Sequence, residues 1–114
     1  MVAQGDVYWA DFGDADGHEA AFLRPAVVVQ CNAANASVMD TVLVCPCTTT
    51  LRRNKWPGNV ELAQDEAGLP KRSLVEVTLL TALDRAYLHG HIGRLSEARM
   101  RAIVRAIHQL VEIE

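Results

Sequence analysis

The sequence predicts a mainly β domain of the α+β class, a small and strongly bent sheet or barrel with one C-terminal helix. Five or six short segments rich in β-branched and aromatic residues are separated by glycine, proline and asparagine turns. The hydrophobic period then changes from that of strands to that of a helix after Ser96. Short strands followed by one helix are typical of a sheet that curls around a core, with the helix packed on its side.

Composition limits the possible classes of protein. At 114 residues, with 50% hydrophobic and 22% charged residues, the chain is expected to form one globular domain over residues 1–114. No segment approaches the ~20 apolar residues of a membrane span, and the N-terminus lacks the features of a signal peptide, so a cytoplasmic location is expected. The net charge of -3 argues against coating of duplex DNA, although basic residues cluster at 52–55 and 71–72.

The first half of the chain predicts three strands. Residues 7–12 form a first segment of strong β propensity, followed by a polar loop with two glycines. The unbroken run of residues 26–29 predicts a second strand that is buried on both faces. Because Pro25 cannot donate a ladder hydrogen bond, it is expected at the first residue of that strand. A turn at 32–37 and a third strand at 41–47 follow.

The second half continues with shorter elements. A basic loop closes at Trp56-Pro57-Gly58, a strong turn signal. Residues 64–70 are expected to form a loop or one helical turn, and a tight turn is predicted at 81–85. The further strands are predicted at 59–62, 73–80 and 91–95. Ser96 is a suitable N-cap for the helix, whose apolar positions are Met100, Ile103, Val104, Ile107, Leu110 and Val111.

The three cysteines do not predict disulfides. Their number is odd, and Cys45 and Cys47 lie two residues apart on one strand, where they share a face. We expect buried, hydrophobic thiols. A metal site shared with His89 and His91 is disfavoured, because neither pair has the spacing usual for zinc ligands.

Polar residues near the ends of two predicted strands form a candidate catalytic site. Arg24 precedes the second strand and Thr48 ends the third, while His18 and Glu19 stand in the polar loop. Arginine can bind a phosphate through two parallel hydrogen bonds, and a hydroxyl can donate a further one. Arg24 alone would also fit a structural ion pair, and Thr48 an ordinary strand position.

Such a site suits RNA cleavage, because RNA supplies its own nucleophile, the 2′-hydroxyl. The protein then needs to position the phosphate, stabilise its charge and accept a proton, with no nucleophile or metal of its own. Glu19 or His18 could transfer that proton near neutral pH, whereas Arg24 stays charged and is a poor base.

The basic loop and the asparagines are candidates for binding RNA. Cationic side chains would hold phosphates, an indole would stack on a base, and amides could read base edges. The alternative is a solvated loop with a packed tryptophan. The residues expected to bind substrate are Arg52, Arg53, Lys55, Trp56, Asn32 and Asn35.

Short motifs along the whole chain resemble the MazF/PemK toxin family. Each motif is weak by itself, but their order and spacing together are specific. They are Gly5-Asp6-Val7-Tyr8-Trp9, Gly17-His18-Glu19, Arg24-Pro25 with Gln30, Cys45-Pro46-Cys47-Thr48, Pro57-Gly58-Asn59-Val60, Gly68-Leu69-Pro70 and Leu83-Asp84.

The resemblance implies an SH3-like barrel of five to seven strands, with a C-terminal helix, that forms a homodimer. It implies the toxin of a type II toxin–antitoxin system, a cytoplasmic endoribonuclease (an mRNA interferase) that needs no metal or other cofactor. Cleavage of single-stranded RNA at short sequence motifs would leave a 2′,3′-cyclic phosphate and a 5′-hydroxyl and so inhibit translation and growth. A MazE-like antitoxin would be its partner, and the essential arginine, threonine and loop glutamate fall on Arg24, Thr48 and Glu19.

Two positions depart from the family pattern. His18 stands where a serine is common, which adds a titratable group to the site. Leu79 stands where a glutamine often lines the RNA groove, so base recognition is expected to differ. Two alternative functions stay open: a CcdB-like toxin that binds DNA gyrase without enzymatic activity, and an inactive interaction module. Arg24 with Thr48 favours cleavage, because a gyrase poison needs no phosphate pocket.

Overall fold

The computed structural model describes residues 1–13, 22–52 and 56–114. Within these ranges the chain forms seven strands and two helices, and single 3₁₀ turns lie at Glu66–Gly68, Val77–Leu79 and Arg85–Tyr87. The strands are β1 (Asp6–Asp11), β2 (Leu23–Val28), β3 (Thr41–Thr48), β4 (Val60–Leu62), β5 (Ser73–Val75), β6 (Thr81–Asp84) and β7 (Leu88–Arg94). The helices are α1 (Asn32–Asn35) and α2 (Glu97–Leu110).

All strand pairs are antiparallel, in the order β4-β5-β3-β2-β1-β7, and β6 pairs with β3 in addition. The prediction of a mainly β fold with a C-terminal helix is confirmed. Among the described residues, no helix is long and apolar enough to cross a membrane.

Strand β3 changes partner along one of its edges. Its first half pairs with β6 from Thr41 to Val44, and its last two residues pair with β5. Pro46 lies between these two ladders, and its carbonyl accepts a hydrogen bond of 2.8 Å from the backbone N–H of Glu76. Proline suits this position because it has no N–H to donate. The switch carries the end of β3, with Thr48, away from β6 and against β5.

Both faces of β2 are buried, as the unbroken apolar run predicts. Val27 packs with Val7 and Cys45 in the core that also contains the buried side of α2. Val28 belongs to a second apolar cluster on the opposite face, with Val42 and Val44. Cys45 and Cys47 share the first core, which confirms that they share one environment.

Helix α2 begins where the sequence predicts. The hydroxyl of Ser96 accepts a hydrogen bond of 3.2 Å from the backbone N–H of Arg99, the usual N-cap arrangement. Met100, Ile103 and Ala106 are its buried residues. Three other positions of the predicted apolar pattern are exposed, Val104 at 44%, Leu110 at 41% and Val111, which follows the helix, at 69%. The buried stripe is therefore narrower than the apolar pattern.

Strand β2 begins earlier than predicted. Pro25 lies inside β2 and pairs with Trp9. The N–H of Phe12 donates to the carbonyl of Phe22, and hydrogen-bonded pairs alternate along an antiparallel ladder. The Trp9–Pro25 pair is therefore non-hydrogen-bonded, and the proline nitrogen faces away from β1. It faces the edge of β2 that pairs with β3, and that pairing starts at Ala26. Toward β3, position 25 would face Cys47, and the side chain of Arg24 donates to the Cys47 carbonyl where proline has no N–H to offer.

Three further predictions were wrong. The turn predicted at 81–85 is strand β6 over most of its length, because pairing with β3 decides its conformation. The strand predicted at 73–80 ends at Val75 and continues as the 3₁₀ turn Val77–Leu79. The turn predicted at 32–37 contains the short helix α1, which two alanines favour.

A buried carboxylate ties the two ends of the fold together. Asp6 is 2% exposed and accepts hydrogen bonds from Arg94 Nε at 2.9 Å and from the backbone N–H of Ala3 at 2.9 Å. His91 lies 3.3 Å away. Burial alone would raise the pKa of Asp6, but these hydrogen bonds and the charge of Arg94 outweigh it and hold the pKa below the ordinary value of 3.8.

We expect Asp6→Asn to destabilise the protein by about 1–3 kcal/mol at pH 7, because hydrogen bonds to a charged group are lost. A carboxyl group whose pKa is lower in the folded state than in the unfolded state stabilises the fold at pH values above its unfolded pKa. This stabilisation is lost as the pH falls through the folded pKa. The difference from wild type should therefore shrink below pH 3.8. Urea unfolding at a series of pH values measures this difference. Asp40→Asn is the control, because Asp40 is exposed and has no ion pair among the described residues. A difference independent of pH would contradict the assignment.

Candidate active site

Arg24 is anchored at the point where the β2–β3 ladder ends. The last pair of that ladder is Ala26 with Pro46, and Arg24 pairs with Ala10 on the other side. Beyond the ladder, the carbonyl of Cys47 accepts two hydrogen bonds from the Arg24 guanidinium, from Nε at 3.2 Å and from Nη2 at 3.0 Å. The side chain thus continues the sheet, which fixes one edge of the guanidinium.

Nη2 of Arg24 also donates to the carboxylate of Glu76, directly after β5. The Glu76 side chain is fully buried and that of Arg24 is 17% exposed. Arg24 therefore makes the structural ion pair that the sequence left open. A buried ion pair holds its members strongly in place, because neither charge can be left alone.

The other edge of the guanidinium remains available. Among the residues that the structure describes, none accepts a hydrogen bond from Nη1 of Arg24. Phe22 lies against the group, with 5.7 Å between the guanidinium carbon and the ring centroid, within the range of a cation–π contact. One fixed edge and one unused edge allow Arg24 to keep its ion pair and still receive an anion.

Thr48 lies at the end of β3, paired with Leu74 of β5. Its hydroxyl oxygen accepts a hydrogen bond of 3.1 Å from the backbone N–H of Thr50. This contact orients the hydroxyl and leaves its proton for donation to another group.

Arg24 and Thr48 line the same cavity, of about 590 Å³, which lies within the usual range for ligand sites. We call it the Arg24 cavity. One wall is aromatic and cationic, a second is a row of three threonines, and a third is the segment before β5. Its lining residues are Trp9, Phe22, Arg24, Pro25, Cys47, Thr48, Thr49, Thr50, Gly68, Leu69, Pro70, Lys71, Ser73 and Ile92.

The wall before β5 is tightly held. A Cβ at Gly68, whose φ is +81°, would lie 2.5 Å from the carbonyl oxygen of Ile92 in β7, so this close approach requires glycine. Glu66 accepts hydrogen bonds from Arg99 of α2 at 2.7 and 3.0 Å. The hydrogen bonds from Arg99 lower the pKa of Glu66 and outweigh the opposing effect of burial.

The two thiols of β3 are unsuited to nucleophilic chemistry. Burial raises the pKa of both Cys45 and Cys47 to about 12, so both are neutral at physiological pH. The described residues also contain no group of three or more histidine, cysteine or acidic residues placed to hold a metal ion.

Among the described residues, the other predicted site residues do not line this cavity. His18, Glu19, Arg53 and Lys55 lie outside the described residues. Arg52 is exposed and Trp56 is 44% exposed, but neither lines the Arg24 cavity. Leu79 is 39% exposed and also does not line it.

The structure argues against a role in base reading for Asn35. It is 2% exposed, donates to the carbonyl of Gln30 at 2.9 Å and accepts from the Gln30 amide at 3.0 Å. A buried amide engaged in this way cannot reach a base. Asn32 is exposed, but its side-chain oxygen accepts a hydrogen bond of 2.7 Å from the backbone of Gln4, and it does not line the cavity.

Sequence reasoning missed four residues at the site. Trp9 and Phe22 are 45% and 52% exposed and line the cavity, although Trp9 was treated only as a strand residue and Phe22 was not considered. Glu76 was read as part of a long strand, and Lys71 was noted only as a basic residue. The signal for Glu76 was available: a charged residue between Val75 and Val77, in an apolar segment, requires a buried partner.

Comparison with known proteins agrees with this geometry. The sequence model of the PemK-like, MazF-like toxins of type II toxin–antitoxin systems matches residues 3–111. Endoribonuclease MazF of Staphylococcus saprophyticus is 31% identical over 107 residues, covering 94% of this chain and 88% of that protein. Endoribonuclease MazF6 of Mycobacterium tuberculosis is 29% identical over 113 residues, covering 99% of each chain.

Solved structures of this class have the same fold. A MazE–MazF complex from Deinococcus radiodurans contains a chain that superposes with a TM-score of 0.78 at 22% identity, covering 99% of this chain and 97% of that one. An endoribonuclease from a mycobacterial species, in complex with its cognate antitoxin, superposes with a TM-score of 0.77 at 22% identity over the whole of both chains. The fold and the site thus define a small toxin of a toxin–antitoxin pair. The chain belongs to the PemK/MazF family of type II toxins.

Proposed function

We propose that this toxin is an endoribonuclease that cleaves single-stranded RNA in the Arg24 cavity. The observation that carries the proposal is the pairing of two donors in one cavity: the unused Nη1 edge of Arg24 and the hydroxyl of Thr48. Both can donate to the nonbridging oxygens of a phosphodiester. The relatives named as MazF endoribonucleases support the same activity.

In the proposed reaction the 2′-hydroxyl of the RNA attacks the adjacent phosphorus, and the bond from phosphorus to the 5′-oxygen breaks. The products are a 2′,3′-cyclic phosphate and a 5′-hydroxyl. Negative charge grows on the phosphoryl oxygens, where Arg24 and Thr48 stabilise it. Glu19 or His18 would take the proton from the 2′-hydroxyl or give one to the leaving oxygen. Arg24 acts as a fixed cation in this scheme and not as the base.

Glu76 is a positioning residue in this scheme. It does not line the cavity, but it holds one edge of the guanidinium together with the carbonyl of Cys47. Arg24 thus reaches the phosphate with its orientation already fixed, which reduces the cost of organising the transition state.

The aromatic wall supplies a surface for a base. Trp9 and Phe22 present partly exposed rings beside Arg24, and stacking of a base on such rings is worth about 1–3 kcal/mol. We propose that a base stacks at this wall and not on Trp56, which does not line the cavity.

Trp9→Ala is expected to weaken RNA binding about 5- to 150-fold, the equivalent of one stacked base. Trp56→Ala is the matched control, since both indoles are about equally exposed and only Trp9 lines the cavity. Fluorescence anisotropy with a 2′-O-methyl RNA, which cannot be cleaved, measures both variants. A larger loss for Trp56→Ala would move the stacking site to the basic loop.

The proposal includes the partners of the family. A MazE-like antitoxin would inhibit the toxin, in line with the solved complexes of relatives with antitoxins. An acidic segment of that antitoxin would compete with RNA for the cationic side chains. A homodimer in the cytoplasm remains a prediction, as do binding by Arg52, Arg53 and Lys55 and the absence of a required metal.

Incubation of the purified protein with a long RNA in EDTA tests the function. We expect discrete cleavage, 5′-hydroxyl ends at the mapped sites, and no cleavage by Arg24→Ala. The gyrase-binding alternative is tested in parallel with gyrase and plasmid DNA. Intact RNA together with trapped gyrase–DNA complexes would overturn the proposal.

A further inference from the structure

A second cavity adjoins the Arg24 cavity. It has a volume of about 390 Å³, and residues of the segment before β5 line it as well. Three residues, Thr49, Pro70 and Lys71, line both cavities, so the two spaces meet along this rim. The remaining lining residues of the second cavity are Leu51, Gln64 and Arg72.

Lys71 is the cationic residue on the shared rim. It is exposed, and its ammonium pairs with no carboxylate in the described part of the chain. The neighbouring cations differ in this respect, since Arg24 pairs with Glu76 and Arg72 with Glu61. Lys71 therefore has an uncompensated charge that faces solvent between the two cavities.

The backbone that carries Lys71 is fixed although its side chain is free. Its carbonyl accepts a hydrogen bond of 2.9 Å from the hydroxyl of Ser73. Three residues earlier, Gly68 is pressed against β7, and the bond between Glu66 and Arg99 ties the same segment to α2. The fixed backbone thus limits the part of the surface that the ammonium can reach to the rim that the two cavities share.

We propose that single-stranded RNA continues from the Arg24 cavity across this rim into the second cavity, and that Lys71 binds the phosphate between the two nucleotides. The proposal rests on the proposed function. A polynucleotide fits because two adjoining cavities linked by one cation match two nucleotides linked by one phosphate. The second cavity can also read a base, because the amide of Gln64 and the hydroxyl of Thr49 can both donate and accept hydrogen bonds.

Lys71→Ala is expected to reduce the salt dependence of RNA binding by the amount that one phosphate contact contributes. For single strands the slope of log K against log salt should become less steep by about 0.7, so the loss of affinity between 50 and 200 mM salt should be about 2- to 3-fold smaller. Lys71→Arg should restore the wild-type slope. The probe is a 2′-O-methyl RNA oligonucleotide that spans a cleavage site mapped in EDTA.

Arg105→Ala is the matched control. Arg105 is exposed on α2, lines neither of the two adjoining cavities and has no ion pair among the described residues, so its loss changes the net charge equally. It should leave the salt slope unchanged.

Trimming the oligonucleotide by one nucleotide at each end in turn locates the second subsite. One of the two trimmed oligonucleotides should bind wild type more weakly than the full-length oligonucleotide does. The affinity lost on this trimming should be smaller for Lys71→Ala, because the contacts of one nucleotide are coupled.

The outcomes separate this inference from the proposed function. If wild type cleaves RNA but Lys71→Ala keeps the wild-type salt slope, the inference is overturned and the function stands. If Lys71→Ala weakens binding of an acidic peptide but not of RNA, the rim is a protein-binding surface and the inference is also overturned. If wild type neither cleaves nor binds the long RNA, both fail.

Discussion

Arg24→Ala is expected to lower the rate of RNA cleavage by about 10³-fold and to destabilise the protein at the same time. The first effect follows from loss of the cation that faces the phosphate. The second follows because the fully buried carboxylate of Glu76 would lose its ion pair with Arg24, and loss of hydrogen bonds to a charged group typically costs about 1–3 kcal/mol. Single-turnover cleavage and urea unfolding measure the two effects on the same preparation.

Conservative variants separate these two roles of Arg24. Arg24→Lys keeps a positive charge near Glu76, so we expect it to regain part of the stability, but cleavage should stay low because an ammonium lacks the planar fork of a guanidinium. Glu76→Gln should reduce cleavage less than any change of Arg24. A folded Arg24→Ala that cleaves RNA at the wild-type rate would remove Arg24 from the mechanism.

Thr48→Val is expected to lower the rate constant for cleavage by about 10²- to 10³-fold, with a smaller effect on binding. Valine has nearly the same shape but no hydroxyl, so the donor to the phosphoryl oxygen is lost in the transition state. The backbone N–H of Thr50 also loses its acceptor, which should cost only about 1 kcal/mol at this half-buried position. Pre-steady-state kinetics separate the rate constant from the dissociation constant.

Two controls flank this experiment. Thr48→Ser retains the hydroxyl and should recover most of the activity. Thr49→Val removes the adjacent hydroxyl that lines the same cavity and should have a much weaker effect on the chemical step. Equal losses for Thr48→Val and Thr49→Val would point to a general effect of cavity polarity.

The sequence predicted the β-rich fold because its local patterns agree with the tertiary pairing. The apolar run at Val27 and Val28 is buried on both faces as its composition requires, and Ser96 caps the helix. Strand β6 was missed because four residues carry little local signal, and their conformation depends on pairing with Leu43 and its neighbours.

The sequence predicted that Arg24 and Thr48 lie close together, but it predicted only part of the cavity around them. Arg24 and Thr48 were identified because each stands beside a recognisable strand. Trp9 and Lys71 were missed because their shared cavity joins segments that are far apart in sequence. Hydrophobic periodicity predicts on which face of a strand or helix a side chain lies. It does not predict which distant segments pack together, because that depends on long-range contacts.

The contacts that build the Arg24 cavity also determine when it can exist during protein synthesis. Arg24 and Glu76 are 52 residues apart in the chain, and Thr48 needs Leu74 as its strand partner. A nascent chain that ends before Glu76 has the arginine but neither its counter-ion nor the opposite wall. It therefore cannot form the proposed cleavage site, so the ribosome completes most of the toxin before that site can exist.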